Sequence, residues 1–404
     1  MLSVSGCPGL LVCALFLGCG GNTNPQNPDS APPVDAAACT PDNPPPQQPW
    51  TRAPGAPHLV PGQSTPDGTT YLVADPSALF DEAASAWKVW YSGARGACFS
   101  CPYAHVIEYA HSSDGRAWTT ETTAALRAPA TGWDSMALET PDVVIHPDAS
   151  ADRRYVMAYA GGEDTHLGFA NYQLGVAFSA DGRTFARISA AESPYGQAGL
   201  ALIMTDAFPS HNVLDGVLAD PTLLLRDGVL HVWMSSYGCS TAGCSGPGNV
   251  PVFGISHATS TDGIHWTPSS TNPVLEGAQQ PTVLWNAASC HYEMWFRRDT
   301  TEEQNMIPAD FNGLFGAWRA TSPDGVSWTV DATRDFFWDG DQTGEELGLL
   351  TGVDVSQGNG ETRLYYVGMT TTDVPSNDVF VPVHTWYDPA GFVNATFGLG
   401  YATR

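Results

Sequence analysis

The sequence predicts an all-β chain folded as a five-bladed β-propeller of four-stranded antiparallel blades. Three observations predict it. A motif, Ser-x-Asp-Gly-x-x-aromatic, returns at 112–118, 179–185, 260–266 and 322–328, with its Asp residues spaced 67, 81 and 62 apart. An aromatic-rich segment precedes each copy, at 87–91, 155–159, 230–234 and 292–296. The chain also holds 41 glycines and 32 prolines, turn formers at a density that suits many short strands. Asp-Gly between strand-like runs marks a hairpin, because Gly accepts a positive φ. A repeat of roughly seventy residues is long enough for one four-stranded meander.

The N-terminal elements carry an address. Residues 10–17 are apolar but too few to cross a bilayer as a helix. Gly18 and Cys19 follow directly, and the segment resembles a bacterial lipobox. The resemblance implies removal of residues 1–18 as a signal peptide and lipidation of Cys19, whose acyl chains would anchor the chain in a membrane. Gly20 after the Cys is similar to lipoproteins sorted to the outer membrane. An ordinary secretory signal is the alternative. The expected location is outside the cytoplasm, as an outer-membrane lipoprotein or at the cell surface or in the periplasm. Residues 22–61 hold twelve prolines and almost no bulky apolar residue before Trp50, so 19–61 reads as a disordered Pro-rich tether. The propeller is assigned to 62–404.

Composition narrows the partners. Asp and Glu number 42 against 16 Lys and Arg, a net charge of −26, and Lys88 is the sole lysine. Phosphate backbones need clustered basic side chains, so nucleic acid is excluded. The nine cysteines fit an oxidising compartment. With Cys7 and Cys13 in the signal and Cys19 lipidated, Cys39, Cys98, Cys101, Cys239, Cys244 and Cys290 remain as disulfide candidates. Cys98/Cys101 and Cys239/Cys244 could close small loops and leave Cys39 with Cys290, but the connectivity stays open. A single CxxC argues against a zinc site.

Each repeat orders its strands alike. A short first strand opens with a proline in four copies: Asp75-Pro76, Thr140-Pro141-Asp142, Asp220-Pro221 and Gln280-Pro281. A fifth copy, near 353, lacks it. The chain ends after the third strand of that repeat, so a strand from around 69–74 or just before is expected to complete the last blade and leave no sheet edge bare. In a meander, the starts of first strands share a face with the second-to-third connections, here 94–105, 162–171, 236–252, 297–313 and 368–396. Long loops on a rigid scaffold tend to carry function. The Asp-Gly turns lie at the opposite end and read as structural. Asp75, Asp220, Gln280, Asp354 and either Thr140 or Asp142 are thus expected around one central funnel. Carboxylates crowded in such a site separate their pKa values, as acid and base roles require.

The Asp-Pro opening, the aromatic second strands and the Asp-Gly-x-x-Trp turns resemble the five-bladed glycoside hydrolases of families 32, 43, 62 and 68. Family 43 implies an Asp general base, an Asp that tunes the acid, and a Glu general acid. Asp75 matches the base, Asp220 matches the tuning Asp, and 140–143 is similar to the family's second-blade segment. At the acid's place stands Gln279-Gln280-Pro281, and an amide cannot donate that proton. Glu139, Glu163, Glu345 and Glu346 are the substitutes on the same face. Asp142, Gln280, Arg297, Arg298 and His166 are candidate sugar-binding residues, and Tyr91, Trp133 and Tyr237 candidate stacking platforms. An inverting outcome would need roughly 6.5–9.5 Å between acid and base, a retaining one roughly 5–5.5 Å. No metal or other cofactor is expected, although an axial Ca2+ on Asp75, Asp220 or Asp354 is chemically allowed. An Asp-box sialidase is set aside: its motif has a residue between Asp and Gly, and it needs an Arg cluster. The expected activity is hydrolysis of an arabinan, xylan or fructan type polysaccharide by a monomer. The alternative is a carbohydrate-binding propeller without catalysis.

Overall fold

Five inner strands ring an axis. Ala74–Asp81, Ala137–Ile145, Asp215–Arg226, Ala278–Asn286 and Asp354–Gly358 each pack against the next, and the last returns to the first. This computed structural model describes residues 43–404, apart from 56–57, 98–102, 164, 167–168, 242–250, 299–315, 338–352 and 372–394. All of these belong to one compact unit, Pro41–Arg404. Each inner strand opens an antiparallel sheet, so the chain is all-β with its sheets arranged as a propeller. Four sheets are blades made from one run of chain, one fewer than the five expected. The last sheet is composite: Asp354–Gly358, Glu361–Thr371 and Ala395–Thr403 are completed by Thr51–Arg52 from the N-terminal side.

That closing strand corrects two expectations. Closure comes from Thr51–Arg52 and not from 69–74; Thr51 pairs with Thr403 and Arg52 with Ala402. The segment 64–70 instead forms a hairpin, whose second strand pairs with the end of Ala86–Gly96 in blade one. The stretch assigned to the tether is also fastened well before residue 61. Arg319 donates to the Pro45 carbonyl at 2.7 Å, and Trp50 Nε1 donates to Asp335 Oδ2 at 2.8 Å. Leu59 bridges to Leu399. A Pro-rich composition predicts disorder only where no partner surface waits. Here the backbone groups left open along Ala395–Thr403 and the Trp295 ring supply one, with the Trp50 and Trp295 centroids 6.0 Å apart.

The aromatic second strands face the seams between blades. Trp87, Trp90, Trp233 and Trp295 are fully buried. Trp90 Nε1 donates to the Gly182 carbonyl in the next blade's Asp-Gly turn at 2.7 Å, and Trp233 does the same to Gly325 at 2.8 Å. The turns are therefore latches. In each, the glycine has a φ between 71° and 77°, and the Asp side chain accepts amide hydrogens from the residues that follow it. Lys88 joins the same seam, its ammonium 2.7 Å from the Tyr155 hydroxyl and 2.9 Å from Asp81.

One layer in, Ser77, Asp142, Thr222, Thr282 and Asp354 hold the same position in the five inner strands, and all are buried. They tie neighbouring strands together. Ser77 Oγ donates to Asp142 at 2.7 Å, and Asp142 also accepts from the Thr222 side chain and the Leu223 amide. Asp354 accepts from the Ala78 amide at 2.7 Å and from Thr282 Oγ1 at 3.1 Å. Burial raises both carboxyls, Asp142 to about 6 and Asp354, pushed further by the charge of Asp142, to about 8.

Two outcomes follow. Trp50→Ala removes the strap's ring and its bond to Asp335, and should lower stability by about 2–3 kcal/mol in thermal unfolding; an unchanged midpoint would show that the strap does not fasten the ring. A carboxyl with a raised folded pKa adds stability that is complete below about pH 4 and is lost as pH rises through the folded value. Urea unfolding should therefore show wild type weakening between pH 5 and pH 9. Asp354→Asn should remove about 1–3 kcal/mol of that slope; parallel slopes would rule the ring out as its source.

Candidate functional site

The funnel is built from one backbone irregularity used four times. Asp75, Thr140, Asp220 and Gln280 have φ of 46°, 49°, 48° and 53°, and each is followed by proline. Pairing slips at the same place in every blade, between 74 and 77, 139 and 142, 219 and 222, and 279 and 282. Proline donates no ladder hydrogen bond, so the strand bulges there. The left-handed residue before it breaks the alternation of side chains. Its amide then donates across the seam to the previous blade. Thr140 N donates to Ser92 Oγ at 2.8 Å, Asp220 N to Thr140 Oγ1 at 3.3 Å, and Gln280 N to Ser235 Oγ at 2.7 Å.

The four left-handed residues and their prolines line an open cavity with Asp142, Thr222 and Val353. Of the residues expected in the funnel, Asp75, Thr140, Asp220 and Gln280 are thus brought together. Asp142 reaches the same cavity, yet both its oxygens are engaged by the axial ring. That corrects its assignment to sugar binding: it clamps blades. Asp354 is held in the same ring, and among the described residues no group of three or more His, Cys, Asp or Glu is placed to hold a metal ion.

Asp220 stands in a perturbed environment. Burial, and then the charge of Glu139, raise its carboxyl to about 6, against the Ser235 hydroxyl and Arg297, which favour the ionised form. Glu139 precedes the bulge of blade two and is itself gripped. The Tyr172 hydroxyl donates to its Oε2 at 2.7 Å, and His105 Nδ1 lies 2.9 Å from Oε1. Arg297, near the end of the second strand of blade four and paired with Gln279, acts electrostatically on Asp220. The side-chain oxygen of Gln280 is buried and accepts no hydrogen bond among the described residues.

Other candidates lie elsewhere. Trp133 is 7% exposed, stacks on Tyr159 with centroids 5.9 Å apart, and donates to the Ala198 carbonyl, which makes it a seam residue and not a sugar platform. Tyr91 is buried in the core between the composite sheet and blade one. Tyr237 packs toward Phe253, and Arg298 lies over the Trp318 ring. Glu163 is exposed just past the second strand of blade two, and the backbone of His166 sits in the short strand Thr165–His166. Cys239 ends the second strand of blade three and Cys290 sits in the inner turn of blade four. Cys19, Cys39, Cys98, Cys101, Cys244, Glu345 and Glu346 fall outside the described residues. Sequence reasoning missed His105, Tyr172, Ser92 and Ser235. The rule that second-strand ends and third-strand starts share the funnel face would have found them.

No family profile matches the chain, and no curated protein matches it. Solved structures do. The chain is similar to BT0996 in its RGII complex, at 14% identity with 88% of this chain and 92% of that one covered and a TM-score of 0.57. It is similar to a glycosyl hydrolase from Bacteroides ovatus, at 14% identity, coverage of 89% and 96%, and a TM-score of 0.54. It is also similar to Zg3597, a family 117 glycoside hydrolase of the marine bacterium Zobellia galactanivorans, at 14% identity, coverage of 88% and 89%, and a TM-score of 0.51. These likenesses establish a fold shared with glycoside hydrolases.

Proposed function

We propose that this chain is an exported, five-bladed glycoside hydrolase-like propeller, with the composite sheet as its fifth blade. It hydrolyses glycosidic bonds of an arabinan, xylan or fructan type polysaccharide in the central funnel. The observation that carries the reading is that Asp75 and Asp220 stand on matching strained bulges at one cavity, with the Asp220 carboxyl raised to about 6 beside a second carboxylate, Glu139. Two carboxyls kept in different states by their surroundings are the working parts of glycoside cleavage. Asp75 takes the base role, and Arg297 and Gln280 bind sugar hydroxyls. The fold shared with glycoside hydrolases supports the same direction. We also propose lipidation at Cys19 and the pairings Cys98–Cys101, Cys239–Cys244 and Cys39–Cys290; neither Cys239 nor Cys290 is a free thiol.

Gln280 favours a second reading, a sugar-binding propeller without turnover. Its buried, unpartnered oxygen suits a ligand hydroxyl better than it suits proton transfer. One screen separates the two. The full chain, expressed with its own export signal, is offered arabinan, xylan, levan and aryl glycosides alongside Asp75→Asn. Release of sugar by wild type, with kcat down at least about 100-fold in the variant, is expected. Glycan binding without any release would replace the first reading by the second. Equal release by both proteins would remove Asp75 from the chemistry.

A further inference from the structure

The charged groups that act on Asp220 of blade three are Glu139 of blade two and Arg297 of blade four, with His105 against Glu139. Asp220 and Glu139 are not equivalent. Glu139 Oε2 accepts from the Tyr172 hydroxyl at 2.7 Å, which favours the ionised carboxylate, and His105 Nδ1 lies 2.9 Å from its other oxygen. Asp220 lies on the bulge that lines the cavity, whereas Glu139 stands one residue outside the equivalent bulge. The Ser235 hydroxyl, which bonds the Asp220 side chain, also accepts the amide of Gln280, the residue at the place where the resemblance puts a Glu acid.

From this arrangement we infer that the acid and its tuner have exchanged places: Asp220 is the proton donor to the leaving group, and Glu139, whose carboxylate accepts from Tyr172, is the positioning residue that strengthens the hold of Asp220 on its proton. The inference rests on the hydrolase reading above. In the step, the Asp220 proton passes to the glycosidic oxygen while the bond from that oxygen to the anomeric carbon breaks, its electron pair leaving with the oxygen. Water adds to the anomeric carbon and gives its proton to Asp75. Burial comes first in holding the Asp220 proton, and the charge of Glu139 second, so neutralising Glu139 must ease its loss.

Leaving-group dependence tests the donor. On phenyl glycosides of arabinose and xylose, Asp220→Asn should lose about 10²–10⁴-fold in kcat, whereas on the 2,4-dinitrophenyl glycosides, which need no protonation, the loss should stay within about ten-fold. Equal losses on both overturn the donor role and leave the hydrolase reading standing. Turnover of neither by wild type overturns that reading and the donor role with it. A side-chain carboxyl ¹³C titration, with the Asp220 signal identified by its absence in Asp220→Asn, reads the pairing without activity. Glu139→Gln should lower the Asp220 midpoint, and an unmoved midpoint refutes the tuning.

Discussion

The buried polar ring on the axis is the constraint on which the rest of the structure depends. Taking a carboxylate out of water costs several kcal/mol unless donors replace the water or a proton removes the charge. Asp142 and Asp354 meet both conditions, and beside the amide that follows each in its own strand, their donors come from other inner strands. No strand satisfies its own ring carboxylate fully. Misplacing one blade therefore leaves a buried polar group orphaned in the next, which couples the sheets far more tightly than apolar seams alone would. The composite sheet enters on the same terms, since Asp354 must be in place for Ala78 and Thr282 to be bonded.

Two residues above the ring, the same logic yields a site. The bulge is a product of backbone chemistry: a left-handed residue, a proline, and an amide handed across the seam. Asp, Thr, Asp and Gln fill the left-handed position in turn. Thr at a φ of 49° is an expensive choice, because β-branched side chains crowd the backbone there. The fold fixes the backbone and leaves the side chain open, which is how a structural repeat becomes a functional asymmetry.

Much of this was legible in the chain. The Asp-Gly period located the blades, and the Xaa-Pro dipeptides located the funnel, because both are local chemistry written in consecutive residues. What escaped depends on partners distant in sequence. Trp50 and Thr51 look like tether until Trp295 and Thr403 are placed beside them. Trp133 looks like a sugar platform until Tyr159 is found stacked on it. Asp142 looks like a ligand for sugar because it follows a funnel residue; only the Ser77 and Leu223 donors show that its lone pairs are taken. A composition rule assigned residues 19–61 to disorder, and between Pro45 and Leu59 the surfaces of blade four and the last strand overruled it.

The acidic balance of the chain divides along the same line. At the Asp-Gly turns, amide hydrogens point at the carboxylates; Asp114, bonded by the Ala117 and Arg116 amides, is held down at about 2. On the axis and at the funnel the order is reversed, because burial raises Asp142, Asp354 and Asp220. One residue type is thus pushed in opposite directions by local donors at one end and by desolvation in the middle. A turn Asp held ionised cannot give up a proton at neutral pH, and a ring Asp has no room for substrate. Asp142 and Asp220 both combine a raised carboxyl with a wall of the cavity, but the oxygens of Asp142 are taken by Ser77 and Leu223. Gln280 fits that picture: a third carboxylate beside Asp220 and Glu139 would add like charge against both, and the neutral side chain avoids it.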